Sequence, residues 1–484
     1  MRGSLRAKAL ISTLTLASGP AAFLASCLVS CGGSPDAAPK TPMAAATAMA
    51  SATSTTPIPA PAESARGSNE ASVNAMLART LKQVEQARGL RSKKPVPGMF
   101  LRRDEMIARV KDHVHREVPA EAIVREGRTQ QLLGVLPEQF DYEAEMYAML
   151  EDQLAGFYAP EDGTMYMAKD LEGDMSDATV FHELVHALQD QTWDLRTQTK
   201  YKPGEGDRSF SRSALAEGDA TSAMLDPLLS KMGGISVLDI PDDQAEQLLL
   251  AAAGGSSKRN TPAIMQRSLV APYALGLRFV NGLRRKGGWK AVDQAWANPP
   301  TTSEQLMHPE KYAAKEAPLA VNAPNASALD PGFKESDQDT LGEMGLVLLL
   351  EQWAGEDKAR ALAAGWGGDR GAYFQKGDEI ALAWRVDYDA DVAKDAKRGA
   401  KQTASVLEAS FTKSLGKPAI RKADFVCFDR PHLGPISIGS KGKRLTFTAG
   451  PAKPSPTGFS STATCASVKS WAASVGNEPP RVHL

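Results

Sequence analysis

The sequence predicts an α+β fold that is rich in helices, and three observations support this prediction. Apolar residues recur at helical spacing in many segments between residues 73 and 353. At residues 156–168, two aromatic and apolar runs flank a Pro-x-Asp-Gly turn, which is typical of a β-hairpin. From about residue 420 the chain is rich in Gly, Pro, Ser and Thr and contains short β-prone pieces.

Helix-forming segments follow one another along most of the chain. Their patterns predict helices at residues 73–84, 106–110, 143–153, 178–190, 221–232, 244–253, 273–285, 341–353 and 389–410. Ser176 or Asp177 offers an N-cap for the helix at 178–190. Residues 380–386 are predicted to form a strand, and the sequence Trp-Gly-Gly-Asp at 366–369 is interpreted as a tight turn.

The composition limits the class of protein and its partners. The chain has 484 residues, with 56 Lys and Arg, 57 Asp and Glu and a formal net charge of −1. A hydrophobic fraction of 42% with 6% aromatic residues is typical of a soluble globular protein and too polar for an integral membrane protein. Nucleic-acid binding usually needs a basic excess on one face, so we expect no nucleic-acid partner.

Residues 1–31 are interpreted as a lipoprotein signal peptide. Basic residues precede an apolar stretch at residues 9–28, and the sequence Leu-Val-Ser-Cys that ends at Cys31 resembles a bacterial lipobox. An overlapping match ends at Cys27. This resemblance implies export and a lipid anchor to the bacterial cell envelope on Cys31 or Cys27, with a plain secretory signal as the alternative.

The remaining chain divides into three predicted parts. Residues 32–68 contain almost no large apolar side chain, so we expect a disordered Ala/Pro/Ser/Thr tether. A globular domain is expected at 69–415, and a small β-prone region at 416–484. Cys427 and Cys465 remain as an even pair, which favours a disulfide in an exported protein.

The strongest functional signal is the sequence His-Glu-Leu-Val-His at residues 182–186. On a helix, His182 and His186 lie one turn apart and about 40° apart around the axis, so both imidazoles can bind one metal ion. Glu183 projects beside them and can reach a water bound to that ion, from which it would accept a proton. Such a site needs a third protein ligand.

Glu217 is the main candidate for the third ligand. It lies in a stretch of small and apolar residues at 213–221, where an unpaired buried carboxylate would be costly and a metal would remove the cost. Gly218 would allow close approach to the histidine helix. Asp207 and Asp219 are the acidic alternatives, and a surface or capping role for Glu217 also stays open.

This pattern resembles the gluzincins, in which HExxH is followed downstream by a glutamate ligand within an E-G-x-A stretch. The likeness extends over about residues 73–410 to a group of secreted bacterial proteins classed as metallopeptidases. The shared stretches are GFY at 156–158, HELVHALQDQ at 182–191, AEGDA at 216–220, TSEQLMHPEKY at 302–312 and GWGGD at 365–369. The resemblance implies a zincin-like fold, bound Zn²⁺, a peptide or protein substrate and peptide-bond hydrolysis with Glu183 as general base.

Other residues are expected to complete such a site. Zincins typically stabilise the oxyanion with a Tyr or His, and His308 and Tyr312 are the candidates here. Asp190 is a candidate acceptor that would orient an imidazole. The strand at 164–168 precedes the histidine helix, and in zincins the equivalent edge strand pairs with an extended substrate.

Two other interpretations of the chain remain. One is a catalytically silent zincin-like lipoprotein that binds peptides or envelope partners. The other is an accidental HExxH match in a structural lipoprotein, which is open because two histidines and a glutamate also recur by chance.

Overall fold

The computed structural model describes residues 63–170, 174–247, 249, 261–390 and 399–477. Helices and sheets are mixed along this part of the chain, which confirms the α+β prediction. The predicted signal peptide, both candidate lipidated cysteines and the predicted tether up to residue 62 lie outside the described residues. Among the helices that are described, none combines the length and the apolar character that crossing a bilayer requires.

The first half of the chain opens with helices around a short strand. They are α1 (Glu63–Arg88), β1 (Gly98–Leu101), α2 (Arg103–Glu117), α3 (Ala120–Leu133) and α4 (Tyr142–Gln153). Helix α1 begins before residue 68, so the end of the predicted tether is helical. The apolar residues that predicted this helix are buried in the core, namely Val73, Leu77, Leu81 and Val84.

A three-stranded sheet follows, and it contains the predicted hairpin. Strand β3 (Thr164–Ala168) pairs antiparallel with β2 (Gly156–Ala159) and parallel with β1, so the order is β1-β3-β2. The prediction that β3 is an edge strand is therefore wrong, because β1 covers its other side. Strands β1 and β2 are the two outer strands, and β2 contacts the helix that follows the hairpin.

Three long helices form the centre of the molecule. They are α5 (Asp174–Trp193), α7 (Gly206–Gly233) and α8 (Ala263–Ala297), with the short α6 (Leu195–Thr199) after α5. The predicted N-cap at Ser176 or Asp177 is wrong, because α5 already begins at Asp174. The predicted helix at 221–232 is the second half of α7, and the one at 244–253 lies partly outside the described residues.

The second half of the chain builds an eight-stranded sheet with helices packed against it. Its order is β4-β5-β6-β10-β9-β8-β7, with β11 paired to β10. The strands are β4 (Lys334–Asp339), β5 (Trp366–Lys376), β6 (Glu379–Tyr388), β7 (Ile420–Arg421), β8 (Phe425–Phe428), β9 (Ile436–Lys441), β10 (Arg444–Ser455) and β11 (Gly458–Ser460). The helices are α9 (Ser303–Met307), α10 (Pro309–Ala313), α11 (Gly342–Ala354), α12 (Glu356–Ala363), α13 (Ala400–Leu415) and α14 (Cys465–Asn477).

This sheet crosses the domain boundary that the sequence predicts at 415/416. Strand β6 pairs with β10, so segments from both sides of the boundary share one sheet. The predicted helix at 389–410 is shifted, since α13 begins at Ala400 and residues 391–398 lie outside the described part. The predicted disulfide is present, with Cys427 and Cys465 joined at an S–S distance of 2.09 Å.

The tight turn predicted at 366–369 is wrong, because these residues begin β5. Asp369 is buried there and accepts hydrogen bonds from the backbone N–H groups of Leu341 and Gly342 at the start of α11. The indole N–H groups of Trp366 and Trp384 donate to the same carboxylate. The motif therefore joins the sheet to the N-terminus of a helix, where a negative charge is stabilising.

Two large apolar cores meet at α7. Ala220 and Ala223 pack in the core that the first sheet and α5 share, whereas Ala214, Leu215 and Ala216 pack in the core of the second half. Glu217 lies between these two groups. A carboxylate is thus placed at the junction of the two cores, with no exposed surface.

Candidate metal centre

Helix α5 presents its two histidines to one point inside the protein. The apolar side chains of Val180, Leu184 and Leu188 are buried and fix this helix against the first core. The Nε2 atoms of His182 and His186 lie 3.1 Å apart. Two imidazole nitrogens at this distance either share a hydrogen bond, with one ring as donor, or bind one metal ion.

Helix α7 supplies a third ligand atom at the same point. Oε2 of Glu217 lies 3.1 Å from Nε2 of His182 and 3.4 Å from Nε2 of His186. A tetrahedral ion with ligand distances of about 2.0–2.1 Å separates its ligand atoms by about 3.3–3.4 Å. These three side chains could therefore hold a metal ion. Oε1 of Glu217 and Nδ1 of His182 are buried without a hydrogen-bond partner in the described part of the chain.

The acidic alternatives to Glu217 make other contacts. Asp207 lies three turns before Glu217 on α7. It accepts a hydrogen bond from the backbone N–H of Ser303 at 2.9 Å. Asp219 accepts Nε–H of Arg88 at 2.5 Å and the indole N–H of Trp296 at 2.8 Å. Both carboxylates are buried, and neither belongs to the group of potential metal ligands.

Gln189 orients His186, and sequence reasoning missed it. Nδ1 of His186 lies 2.8 Å from the side-chain oxygen of Gln189, an acceptor, so Nδ1 carries a proton and Nε2 is the nitrogen that faces the other two ligand atoms. The side-chain nitrogen of Gln189 donates to the carbonyl of Ala216, next to Glu217. Asp190 was predicted for this orienting role. Instead, it accepts the hydroxyl of Tyr158 at 2.8 Å.

Glu183 is held beside the cluster by the outer strand β2. The backbone N–H of Tyr158 donates to Oε2 of Glu183 at 2.9 Å, whereas Oε1 is buried without a hydrogen-bond partner among the described residues. Burial raises the pKa of Glu183 to about 7. A carboxylate with one fixed and one free oxygen can accept a proton from a group placed next to it.

When no metal is bound, the pKa shifts in the cluster favour a protonated His186 beside an ionised Glu217. Burial lowers the pKa of His182. Burial also disfavours the charged form of His186, but Glu217 outweighs this effect and raises the pKa of His186 to about 9. Despite its burial, Glu217 is kept ionised by His186, which lowers the pKa of the carboxyl to about 2. Metal binding would displace the proton from His186.

A buried ion-pair network supports α7 just beyond the cluster. Arg88 of α1 has no exposed surface and pairs with Asp219 and, at 2.8 Å, with Asp293. Its guanidinium also lies over the ring of Trp289, 4.5 Å from the centroid. The network connects α1, α7 and α8, so the helix that carries Glu217 is fixed on the side away from the histidines.

The two predicted oxyanion donors make no contact with the cluster in the described part of the chain. His308 lies 3.0 Å from Glu343, and the hydroxyl of Tyr312 donates to the carbonyl of Asn298 at 2.9 Å. The ring of Tyr273 on α8 instead stacks on His182, with centroids 6.1 Å apart. The sequence could place Tyr273 on a helix but not beside His182, because that position depends on how α8 packs.

Comparisons with known proteins add little to this geometry. A family model described as a domain of unknown function, DUF8575, matches residues 327–455, which hold β4 to β10 and none of the cluster. No curated protein matches the chain. A crystal structure from Chloroflexus aurantiacus, described as "a putative hydrolase with a novel fold", is similar at 19% identity and a TM-score of 0.33. The similarity covers 51% of this chain and 91% of that one, and a score this low supports no statement about fold or chemistry.

Proposed function

We propose that the chain is a zinc-dependent metallopeptidase of the gluzincin type that hydrolyses peptide bonds. The observation that carries this proposal is the convergence of three ligand atoms, from His182, His186 and Glu217, within 3.1–3.4 Å of one another. The Nε2 of each histidine and one carboxylate oxygen form the donor set. Zinc in catalytic sites takes three such protein ligands and keeps one position open.

Bound zinc would supply a water of lowered pKa and polarise the carbonyl of a peptide bond. The residues of the chain would orient the ligands, balance the charge of the ion and accept the proton. Gln189 holds His186 with Nε2 directed at the site, and Glu217 contributes the negative charge that balances the ion. Glu183 acts as general base through Oε1, while the N–H of Tyr158 fixes the carboxylate through Oε2.

The arrangement of elements around the site supports a zincin-like fold. The hairpin β2–β3 leads directly into the histidine helix α5, and the long helix α7 brings the third ligand. The N–H of Tyr158 points away from β3 and towards Glu183, so the outer edge of β2 lies beside the general base. We propose that an extended peptide substrate pairs with this edge rather than with β3.

The oxyanion donor is part of the same proposal. Tyr273 is better placed for it than His308 or Tyr312, because its ring stacks on His182. Export and a lipid anchor at Cys31 or Cys27 would put this activity at the bacterial cell envelope. That location rests on the lipobox resemblance of residues 1–31 alone.

Replacing Glu183 by Gln tests the assignment. The variant should keep stoichiometric zinc and lose cleavage of an unfolded protein substrate, because an amide cannot accept the proton. Glu121→Gln on the surface of α3 is the matched control and should cleave like the wild type. Cleavage by Glu183→Gln at the wild-type rate would falsify the proposal, and so would the absence of bound metal in the wild type.

One observation favours the catalytically silent alternative. His182, Glu183 and Glu217 expose 1% of their surface or less, so a substrate reaches them only after part of the chain moves. A zincin-like protein that binds zinc without cleavage, and binds its peptide or envelope partner elsewhere, would have such a closed site. Stoichiometric zinc without cleavage of any member of a protein library would support this second function.

A further inference from the structure

A second charged cavity lies between α8, α9, α11 and α12. Its volume is about 200 Å³, and α8 lines it with Ala271, Ala274, Leu275 and Arg278. These residues follow a spacing of three and four, so they share one face, on the opposite side of α8 from Tyr273. The cavity is therefore separate from the metal cluster, and the proposed peptidase chemistry does not use it.

His308 lines this cavity and is held by a buried carboxylate. Its Nε2 lies 2.9 Å from Oε2 of Glu343, which has no exposed surface. The hydrogen bond to Glu343 raises the pKa of His308. The other ring nitrogen, Nδ1, lies 3.8 Å from the nearest paired carboxylate, Glu310, which is too far for a hydrogen bond. When His308 is protonated, the N–H at Nδ1 thus remains an available donor.

Three arginines also line the cavity, and they differ in their partners. Arg267 pairs with Glu351 and Glu356, and Arg360 pairs with Glu246. Arg278 has no ion pair or hydrogen bond in the part of the chain that the structure describes, and it is exposed. A guanidinium at the wall of a cavity that pairs with none of the described carboxylates favours binding of an anion.

Glu246 and Glu343, the partners of Arg360 and His308, also line the cavity, and the rest of the wall is apolar. Ala271, Ala274, Leu275, Met344 and Leu348 line it and are buried, with Met307 beside them. An apolar cavity of about 150 Å³ can bind benzene, so this one has room for a compact apolar group. A ligand that fits both walls joins an anionic head to such a group.

We propose that this cavity binds a carboxylate that carries a compact apolar substituent, with Arg278 and Nδ1–H of His308 as its donors. A planar carboxylate matches the guanidinium fork, and the apolar part gains burial against α8 and α11. Two sources have this chemistry: a small free carboxylic acid, and the C-terminal carboxylate of a peptide that ends in an apolar residue. Glu343 is the positioning residue that fixes His308.

Calorimetric titration of the metal-loaded full chain carrying Glu183→Gln, which should not hydrolyse the peptide probes, tests the proposal. The probes are 4-methylpentanoate and its amide, together with a hexapeptide ending in leucine as the free acid and as the amide. We expect 4-methylpentanoate to bind and its amide not to bind. The peptide acid should bind more tightly than the peptide amide, which can occupy only the proposed peptidase site. If both acids bind, the tighter one identifies the source, and binding of the free small acid alone excludes the peptide.

Two variants show whether binding occurs in this cavity and not at the metal. Arg278→Gln should lower the affinity for the acids by roughly tenfold or more, the usual effect of losing a hydrogen bond to a charged group. Ala274→Phe should fill the cavity and abolish binding. Arg285→Gln, a change on the same helix outside the cavity, is the matched control. The proposal is overturned if no acid binds, if the amides bind equally well, or if Arg278→Gln leaves the affinity unchanged.

Discussion

Gly218 of α7 lies directly against Gly276 of α8, so that a Cβ atom on Gly218 would overlap the backbone carbonyl of Gly276. The sequence prediction placed the close approach of Gly218 at the histidine helix, and the structure places it at α8. The contact nevertheless serves the metal cluster. It fixes the position of α7 one residue after Glu217, and it sets α8 where Tyr273 stacks on His182.

Gly218→Ala should destabilise the protein, although alanine usually stabilises a helix relative to glycine. The added methyl group overlaps backbone rather than a flexible side chain, so α7 and α8 must move apart. Overpacking of this kind costs typically about 1–3 kcal/mol. Denaturant unfolding measures the loss, and zinc affinity should fall with it because Glu217 moves.

Gly282→Ala on α8 is the matched control for that substitution. A Cβ atom at Gly282 meets nothing within 4 Å, so this variant should be as stable as the wild type or slightly more stable. Equal stability of Gly218→Ala and Gly282→Ala would contradict the close approach of the two helices.

The sequence predicted those parts of the site that depend on local spacing. Two histidines four residues apart on a helix can only face the same side, and Glu217 was recognised because a carboxylate stands out among small apolar residues. The sequence predicts Asp190 as the acceptor that orients an imidazole, but Gln189 has this position, and both residues lie about one turn from His186. Spacing alone does not tell which side chain reaches Nδ1, whereas the packing of α7 gives Gln189 a second partner at Ala216.

Long-range strand pairing was the part of the fold that the sequence could not predict. Strand β1 has only four residues, too few for a recognisable pattern, yet its pairing with β3 makes β3 the central strand of the first sheet. Likewise, β6 and β10 lie far apart in the chain and meet only in the folded sheet. Spacing along the sequence likewise does not indicate that His308 contacts Glu343 or that Tyr312 contacts Asn298.

Gln189→Leu should lower zinc affinity by roughly 10- to 100-fold, the usual effect of losing a partner that orients a ligand. Without the side-chain oxygen of Gln189, nothing fixes the proton on Nδ1 of His186. Competition with a chromophoric chelator measures the affinity. Gln191→Leu is the control on the same helix, because Gln191 contacts only the backbone of Lys93 and Lys94 in the described part. Equal affinities for the two variants would argue against the orienting role.

Removal of the metal should lower the thermal unfolding midpoint. A ligand that binds only the folded state stabilises it by about 4 kcal/mol at a thousandfold excess over its Kd. Calorimetry with chelator, followed by addition of zinc, should show a reversible shift. The variant Glu217→Gln should have a much smaller shift, since the amide removes the negative ligand. A full shift in that variant would show that another residue closes the site.

The stability of the protein should fall as pH rises from about 4 through about 8, and Asp207 is the group responsible. Burial raises the pKa of Asp207 to about 8, whereas the unfolded carboxyl ionises near ~3.9. Its contribution to folding is therefore complete below the unfolded pKa and is lost as pH rises through the folded pKa.

Asp207→Asn keeps the acceptor for the N–H of Ser303 and cannot ionise. The difference in free energy of unfolding between this variant and the wild type should be more favourable to the variant at pH 9 than at pH 4. The change should be on the order of a few kcal/mol. Urea unfolding at both pH values measures the difference, with the exposed Asp112→Asn as control. Parallel pH profiles for Asp207→Asn and the wild type would mean that the buried carboxyl is ionised in the folded protein, and that Ser303 and its neighbours stabilise its charge.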